Sequence, residues 1–359
     1  MGNFNITDAD IDDILSEFIG EKKSGSRKKT LTAAEAANLW SQYMGDTEAI
    51  CIYTYLLKIV EDKEIRSVLE QSVQLSQNHI AKTKEFFTQA GYPIPVGFSV
   101  EKDVNLQAPR LYSDAFILYF IEIMTVHGFT AYSLAIGSSE REDIRNYFIQ
   151  CESAAAELYN KIINLSKSRG QFYESPVIPS PDQVEFLQKK GLLSDLFGDP
   201  KPLSVVEINN LFFNMKKTIL SKTTALSFSQ VAESAEIRQF FLKTTGIAEE
   251  NLESLRHFLT QDDLPSPPTW EDHITKSTVS PFSDKLMMFH IGFKMSSAIA
   301  YYGAGIGTSM RADILAAYSK TLANVMKSSN DWLSLMVKNG WLERPPEAVD
   351  RKSLAKREH

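Results

Sequence analysis

Apolar residues return at steps of four and seven through residues 62–90, where Ile65, Leu69, Val73, Ile80 and Phe87 fall on one face of a helix. Gly91 and Pro93 supply the stop. Ahead of this segment, residues 33–60 follow Thr32 with Glu35 three positions on, a capping box in which hydroxyl and carboxylate satisfy each other's backbone N–H groups. A third run opens at Ser113-Asp114 in "RLYSDAFILYFIEI", and a fourth near residues 139–143. Four helices of roughly 20–30 residues, with one long connection between the second and the third, predict a four-helix bundle with a crossover. That connection, residues 91–112, is rich in proline and turn residues and has no helical periodicity.

The pattern is then written a second time. "VEDKEIR" (60–66) returns as "AESAEIR" (232–238), an offset of 172 that also carries Glu35 to Glu207, Leu39 to Leu211, Trp40 to Phe212 and Phe86 to Phe258. Beyond the "YPIP" and "LPSP" segments the offset becomes 170, pairing Asp114 with Asp284, Arg141 with Arg311 and Gly170 with Gly340. The second copy of the third helix opens as "SPFSDKLMMFHIGF", so the Ser-Asp start is kept while the polar groups downstream differ. Asp114 and Asp284 are expected to satisfy backbone N–H groups at a helix start and its dipole.

This organises the chain as residues 1–30, a leading helix and linker; 31–173, the first bundle; 174–202, a proline-punctuated linker around a short amphipathic piece at 183–190; 203–345, the second bundle; and 346–359, a basic tail. In the leading segment Thr7 caps a helix with Ile11, Ile14, Leu15, Phe18 and Ile19 along one face. Those five residues form a candidate assembly surface, for the chain's own bundle or for a neighbouring molecule.

Composition changes the picture only by exclusion. A net charge of −7 argues against a nucleic-acid footprint, and the basic runs at 21–29 and 350–359 read as solvated segments. The longest apolar stretch, 115–126, is about half of what a bilayer requires and contains Glu122, so no membrane span is predicted. The acidic amino terminus lacks the apolar core of a cleaved signal peptide, and the two cysteines, Cys51 and Cys151, fit a reduced, cytoplasmic setting.

The strings "APRLYSDAF", "SFSQVAESAEIR", "STVSPFSDKLMMFH" and "NGWLERPPEAVDR" resemble the tandem ferritin-like proteins of Bacillus-type spore-formers, the family known as domain of unknown function 3231. The likeness covers about residues 30–352. It implies an all-α fold of two tandem ferritin-like four-helix bundles, and a spore-coat-like setting in the mother cell or spore. It implies no catalytic residue set.

A ferritin-like bundle raises the question of a di-iron or di-manganese site, which needs Glu-x-x-His on two helices so that carboxylate and imidazole meet one metal pair. Three positions before the six histidines stand Ser76, Met124, Ser254, Trp270, Met287 and Lys356, so that spacing is absent. A variant site in the first copy alone has Glu48, Glu70, His79, Glu122, His127 and Glu152 as candidates; the plainer reading makes Glu70 and Glu152 surface residues and His79 and His127 half-buried hydrogen-bond partners. In the second copy His79 becomes Asn251, Glu122 becomes Gly292, Phe120 becomes His290 and Met124 becomes Lys294, which excludes symmetric metal chemistry. If buried, Glu122 and His290 each require a partner. "GAGIG" (303–307) follows a helix and reads as close helix packing plus a helix end.

Three functions remain. The first is a non-enzymatic structural or assembly protein of a spore layer, self-associating or binding another coat protein; the second is a metal-dependent oxidoreductase or storage module holding iron or manganese. The third is a small-molecule or lipid carrier using a cavity between helices, which the many aromatic residues of the helices could line.

Overall fold

The computed structural model describes residues 30–184, 186 and 201–356. Within them the long elements are helices α1 (Ala33–Ile59), α2 (Lys63–Ala90), α3 (Asp114–Ser138), α4 (Glu142–Ser168), α5 (Val205–Val231), α6 (Ala235–Gln261), α7 (Asp284–Thr308) and α8 (Ala312–Lys338). The offsets of 172 and then 170 carry α1 onto α5 and α3 onto α7 residue for residue. The chain is therefore all-α and duplicated, and no strand occurs among the described residues. The connections differ from expectation in one respect: each holds a single helical turn at equivalent places, Val100–Asp103 and Glu271–His273. The tail also forms a short helix, Arg351–Ala355. The leading helix and most of the linker's amphipathic piece lie outside the described residues.

The residues that repeat in sequence are the ones that build the helix junctions. Thr32 and Ser204 close capping boxes with Glu35 and Glu207. The second carboxylate oxygen of each glutamate then accepts the backbone N–H that opens the fourth helix, from Arg141 at 2.7 Å and from Arg311 at 3.1 Å. One carboxylate thus satisfies orphan donors of two helices. At the third helix the hydroxyls of Ser113 and Ser283 make the caps. The adjoining aspartates serve a different helix from the one they open: Asp114 accepts from the Glu61 and Asp62 N–H groups, and Asp284 from those of Glu233 and Ser234. The pair is retained because serine caps its own helix while aspartate ties it to the α1–α2 or α5–α6 corner. Gly170 and Gly340 end the fourth helices at φ 62° and 67°, a left-handed turn that glycine adopts without strain.

The two bundles interlock through their connections. Val104 bridges Phe282 and Tyr112 bridges Ile274, which is one contact repeated under the duplication. Asn105 donates to the Pro281 carbonyl at 2.8 Å, and Thr275 to that of Leu111 at 2.9 Å. Asp103 of the first connection accepts from the Ser283 hydroxyl at 2.7 Å, and His273 of the second meets the Ser113 hydroxyl at the same distance. Tyr119 stacks on Trp270 at 4.7 Å, and their counterparts Phe289 and Phe98 pack at 4.9 Å. Each crossover therefore seats the third helix of the other repeat, and the pairing has approximate twofold symmetry. Buried residues from both repeats form one continuous core; a smaller cluster around Leu39, Tyr43, Phe86, Phe87 and Phe148 fills the far end of the first bundle. Burying each such side chain contributes about 1.5–3 kcal/mol.

Helix α3 is long and apolar enough by composition to cross a membrane, with 56% of its most apolar window buried inside the protein. "GAGIG" lies at the end of α7, where a Cβ on Gly305 would meet the Tyr318 ring at 2.6 Å, so these two helices approach too closely for a side chain there.

Candidate functional site

Halfway along the first bundle, Asp46 of α1 faces His79 of α2, with Nδ1 3.3 Å from the carboxylate and both side chains buried. Burial opposes charge on the imidazole, but the Asp46 carboxylate outweighs it and raises the His79 pKa to about 10. Tyr132 and Tyr147 pack edge-on around the ring, and the Tyr147 hydroxyl donates to Gln42. The structure places His79 deeper than the half-buried position expected from sequence.

Two further buried carboxylates, Glu48 and Glu122, join one repeat to the other. Glu48 of α1 contacts His290 Nδ1 of α7 in a short hydrogen bond between fully buried groups. Burial pushes the Glu48 carboxyl up to about 8, against the opposing pull of Lys294. The imidazole shifts the other way, because burial and the nearby Lys294 both disfavour a second positive charge. Both directions favour a neutral carboxyl donating to a neutral ring, which leaves the proton on Nε2, an atom with no hydrogen-bond partner. Lys294, one turn on, donates to Thr224 at 2.7 Å. Glu122 of α3 is paired with Lys216 of α5, and Tyr119 donates to the Lys216 carbonyl. The counterpart of Glu122 is Gly292, and a Cβ there would collide with the Trp332 ring at 2.4 Å; the indole, which donates to the Met288 carbonyl at 2.7 Å, fills the space.

The second bundle encloses a cavity of about 50 Å³ between α5, α6, α7 and α8, and His127 of α3 closes it from the first repeat. Its floor and sides are mostly apolar, with Ile247, Ala248, Ile291, Met295, Ala298 and Val325 among the lining residues. His127 Nδ1 lies 3.3 Å from the Tyr301 hydroxyl, which also meets Thr130 at 2.8 Å. Burial and the positive charges of Lys217 and Lys294 hold the His127 pKa well below the ordinary imidazole value. Lys217 Nζ has no hydrogen-bond partner and sits over the rings of Phe213 and Tyr301, 4.0 Å and 4.4 Å from their centroids. Burial, with the charge of Lys216 beside it, pulls its pKa down to about 7.

The six residues considered for a metal site are thus dispersed. Glu48 pairs with His290, His79 with Asp46, Glu122 with Lys216 and His127 with Tyr301, while Glu152 accepts from Ser133 and Glu70 is exposed. Among the described residues no group of three or more His, Cys, Asp or Glu side chains comes together to hold a metal ion, so the donor set does not fit a di-iron or di-manganese centre. The assembly residues Ile11, Ile14, Leu15, Phe18 and Ile19 lie outside the described residues. Sequence reasoning missed Asp46, Lys216 and Lys217. The available signal was weak: "MKK" on an amphipathic helix reads as a solvated pair, and Asp46 stands two positions from the more conspicuous Glu48.

Comparison with known proteins returns the same twofold division. The family model described as protein of unknown function, DUF3231, matches residues 21–184 and again 192–354. An uncharacterised Bacillus subtilis (strain 168) protein, YvdQ, is 25% identical over 146 residues, spanning 40% of this chain and 86% of its own length. A crystal structure of a candidate spore coat protein from Bacillus halodurans C-125 is 19% identical with a TM-score of 0.39, covering 44% of this chain and all of its own. Both relatives have about the length of one repeat.

Proposed function

Because this chain belongs to the DUF3231 family, matched over both of its repeats, we propose that it is a non-enzymatic structural or assembly protein of a sporulation layer, made in the mother cell or spore and associated with the spore coat. The observation that carries this reading is the use made of polar groups in the helices and connections: the buried Glu48, Glu122 and Asp103 and the half-buried His273 all reach across to the opposite repeat. Groups that could have converged on a reaction centre instead join two bundles into one block with a shared core. The family strings noted in the sequence and the Bacillus subtilis origin of the relative YvdQ support the sporulation setting. Ile11, Ile14, Leu15, Phe18 and Ile19 are the proposed means of attachment, to a second copy or to another coat protein.

The test is a tagged chain expressed during sporulation of a Bacillus host, followed by microscopy and stepwise coat extraction. The proposal expects the protein in the extracted coat fraction, and expects removal of residues 1–29 to leave it in the soluble fraction. A full-length chain that stays soluble throughout sporulation would overturn the coat assignment, and a truncated chain that still enters the coat would overturn the role of the leading helix.

A further inference from the structure

The cavity of the second bundle has the composition of a receptor for a small anion. Its lining carries three basic groups, His127, Lys217 and Lys294, with the phenols of Tyr301 and Tyr302, and no carboxylate borders it. Two buried polar atoms on that lining, Lys217 Nζ and Ser328 Oγ, have no hydrogen-bond partner, although their residues are 6% and 1% exposed. Aromatic faces at Phe213 and Tyr301 offset only part of the cost of burying the Lys217 ammonium. The nearest acidic groups are committed elsewhere, Glu122 to Lys216 and Glu48 to His290. A buried amine and hydroxyl without partners, on a lining that also offers apolar contacts at Ala248, Ala298 and Val325, ask for an acceptor that carries negative charge and a short apolar body.

We propose that this cavity binds a small monocarboxylate, whose oxygens take hydrogen bonds from Lys217 and Ser328 while its carbon end lies against Ala248, Ala298 and Val325. Size sets the class. The space, about 50 Å³, is about three to five times the roughly 10–15 Å³ that one water needs, which limits the occupant to about three to five non-hydrogen atoms, the size of acetate or propionate. The first repeat has no equivalent, because the counterparts of Lys217 and Ser328 are Gly45 and Leu158. This inference does not rest on the sporulation reading and can fail separately from it.

The experiment is thermal denaturation and titration calorimetry of the full chain with sodium acetate and sodium propionate, against acetamide and against sodium chloride at equal ionic strength. The proposal expects a saturable rise in melting midpoint with the carboxylates alone, growing with the logarithm of their concentration above Kd. Lys217→Met should abolish that response, and Lys161→Met, which alters an exposed lysine bonded to Gln71, should retain it. Ala248→Leu, which fills the cavity without touching either donor, serves as a second variant and should also abolish the response. Equal shifts with acetamide, an unchanged response in Lys217→Met or in Ala248→Leu, or no saturable response in the unaltered chain would each overturn the proposal.

Discussion

The same layer crosses both bundles halfway along, and it is polar in each but charged in only one. In the first repeat Asp46 faces His79. Their counterparts in the second are Thr218 and Asn251, equally buried: Thr218 meets the Tyr302 hydroxyl at 2.8 Å, and Asn251 accepts from Asn324 at 3.1 Å. Tyr132 of the first repeat stands where Tyr302 stands in the second. The layer therefore requires polar pairing and not a charge: an ion pair, which leaves Asp46 Oδ2 without a hydrogen-bond partner, and a hydroxyl–amide set are two solutions of one packing problem.

The largest effect should come from breaking this equivalence halfway. His79→Asn alone leaves the buried Asp46 carboxylate without a cation and is expected to cost about 3–5 kcal/mol in urea denaturation. Adding Asp46→Thr copies the second repeat's pair, with Tyr132 available to the new hydroxyl, and should bring stability back to within about 1.5 kcal/mol of the original chain. A double variant no better than the single one would show that the two layers are not interchangeable.

A smaller effect is expected at the contacts between repeats. Glu48→Leu alone strips His290 of its Nδ1 partner and should cost about 1–3 kcal/mol. Replacing Glu48, His290 and Lys294 together by their counterparts, leucine, phenylalanine and methionine, removes the whole buried polar group. That triple variant should be neutral or more stable by about 1–4 kcal/mol. A triple variant less stable than Glu48→Leu would mean that the polar set is required for the two bundles to join.

The two interiors should also answer pH with opposite sign. His79 has a folded pKa of about 10 against 6.5 when unfolded, so its stabilisation is full below pH 6.5 and is lost as pH rises through 10. The advantage of the original chain over the Asp46→Thr, His79→Asn double variant should therefore shrink across that window. Lys217 has a folded pKa of about 7 against 10.5, so its burial penalty is absent above pH 10.5 and grows as pH falls to 7. The gain from Lys217→Met should accordingly be largest at and below pH 7, at about 1 kcal/mol or more, and vanish above 10.5. Denaturation midpoints from pH 6 to 11 separate the two, and parallel trends would contradict the assigned partners.

What was legible in the sequence follows the range of the interactions. Thr32 with Glu35, Ser113, Asp62 and Gly91 act within about one turn of chain, so their spacing announces the helix ends. The duplication was legible because the junction residues recur at fixed offsets. The partners of Glu48 and Glu122 were not, since each is found on the opposite bundle; Glu48 and His290 are 242 positions apart, and no local pattern states which faces will meet. Sequence marked Glu122 and His290 as needing partners if buried, Glu48 as a metal candidate and Lys294 as a departure from its counterpart Met124. It could not say that Glu48, Glu122 and His290 would be spent between repeats, nor that Lys217 would have no hydrogen-bond partner beside a cavity.

If interiors diverge while junctions are kept, equivalent junction variants should cost the same in both halves. Glu35 and Glu207 give the sharpest case, since each caps its own helix and accepts the N–H that opens the fourth helix. Burial raises their pKa values, but the backbone N–H donors of Arg141 and Thr32, and for Glu207 the backbone and hydroxyl of Ser204 with the N–H groups of Arg311 and Met310, outweigh it and hold both carboxyls below the usual range. Their contribution is present above the unfolded value of 4.5 and is lost as pH falls through the folded values. Glu35→Ala and Glu207→Ala are each expected to cost about 1–3 kcal/mol at pH 7, by removing one cap and exposing a second donor to an unfilled space. The difference between them is the smallest quantity at issue, about 0.5 kcal/mol or less, because the two sites share the capping box and the N–H that opens the fourth helix and differ in the extra Met310 N–H on Glu207. A difference above about 1 kcal/mol in matched urea titrations would mean that divergence has reached the junctions, and that the second bundle is held by its contacts with the first more than by its own caps.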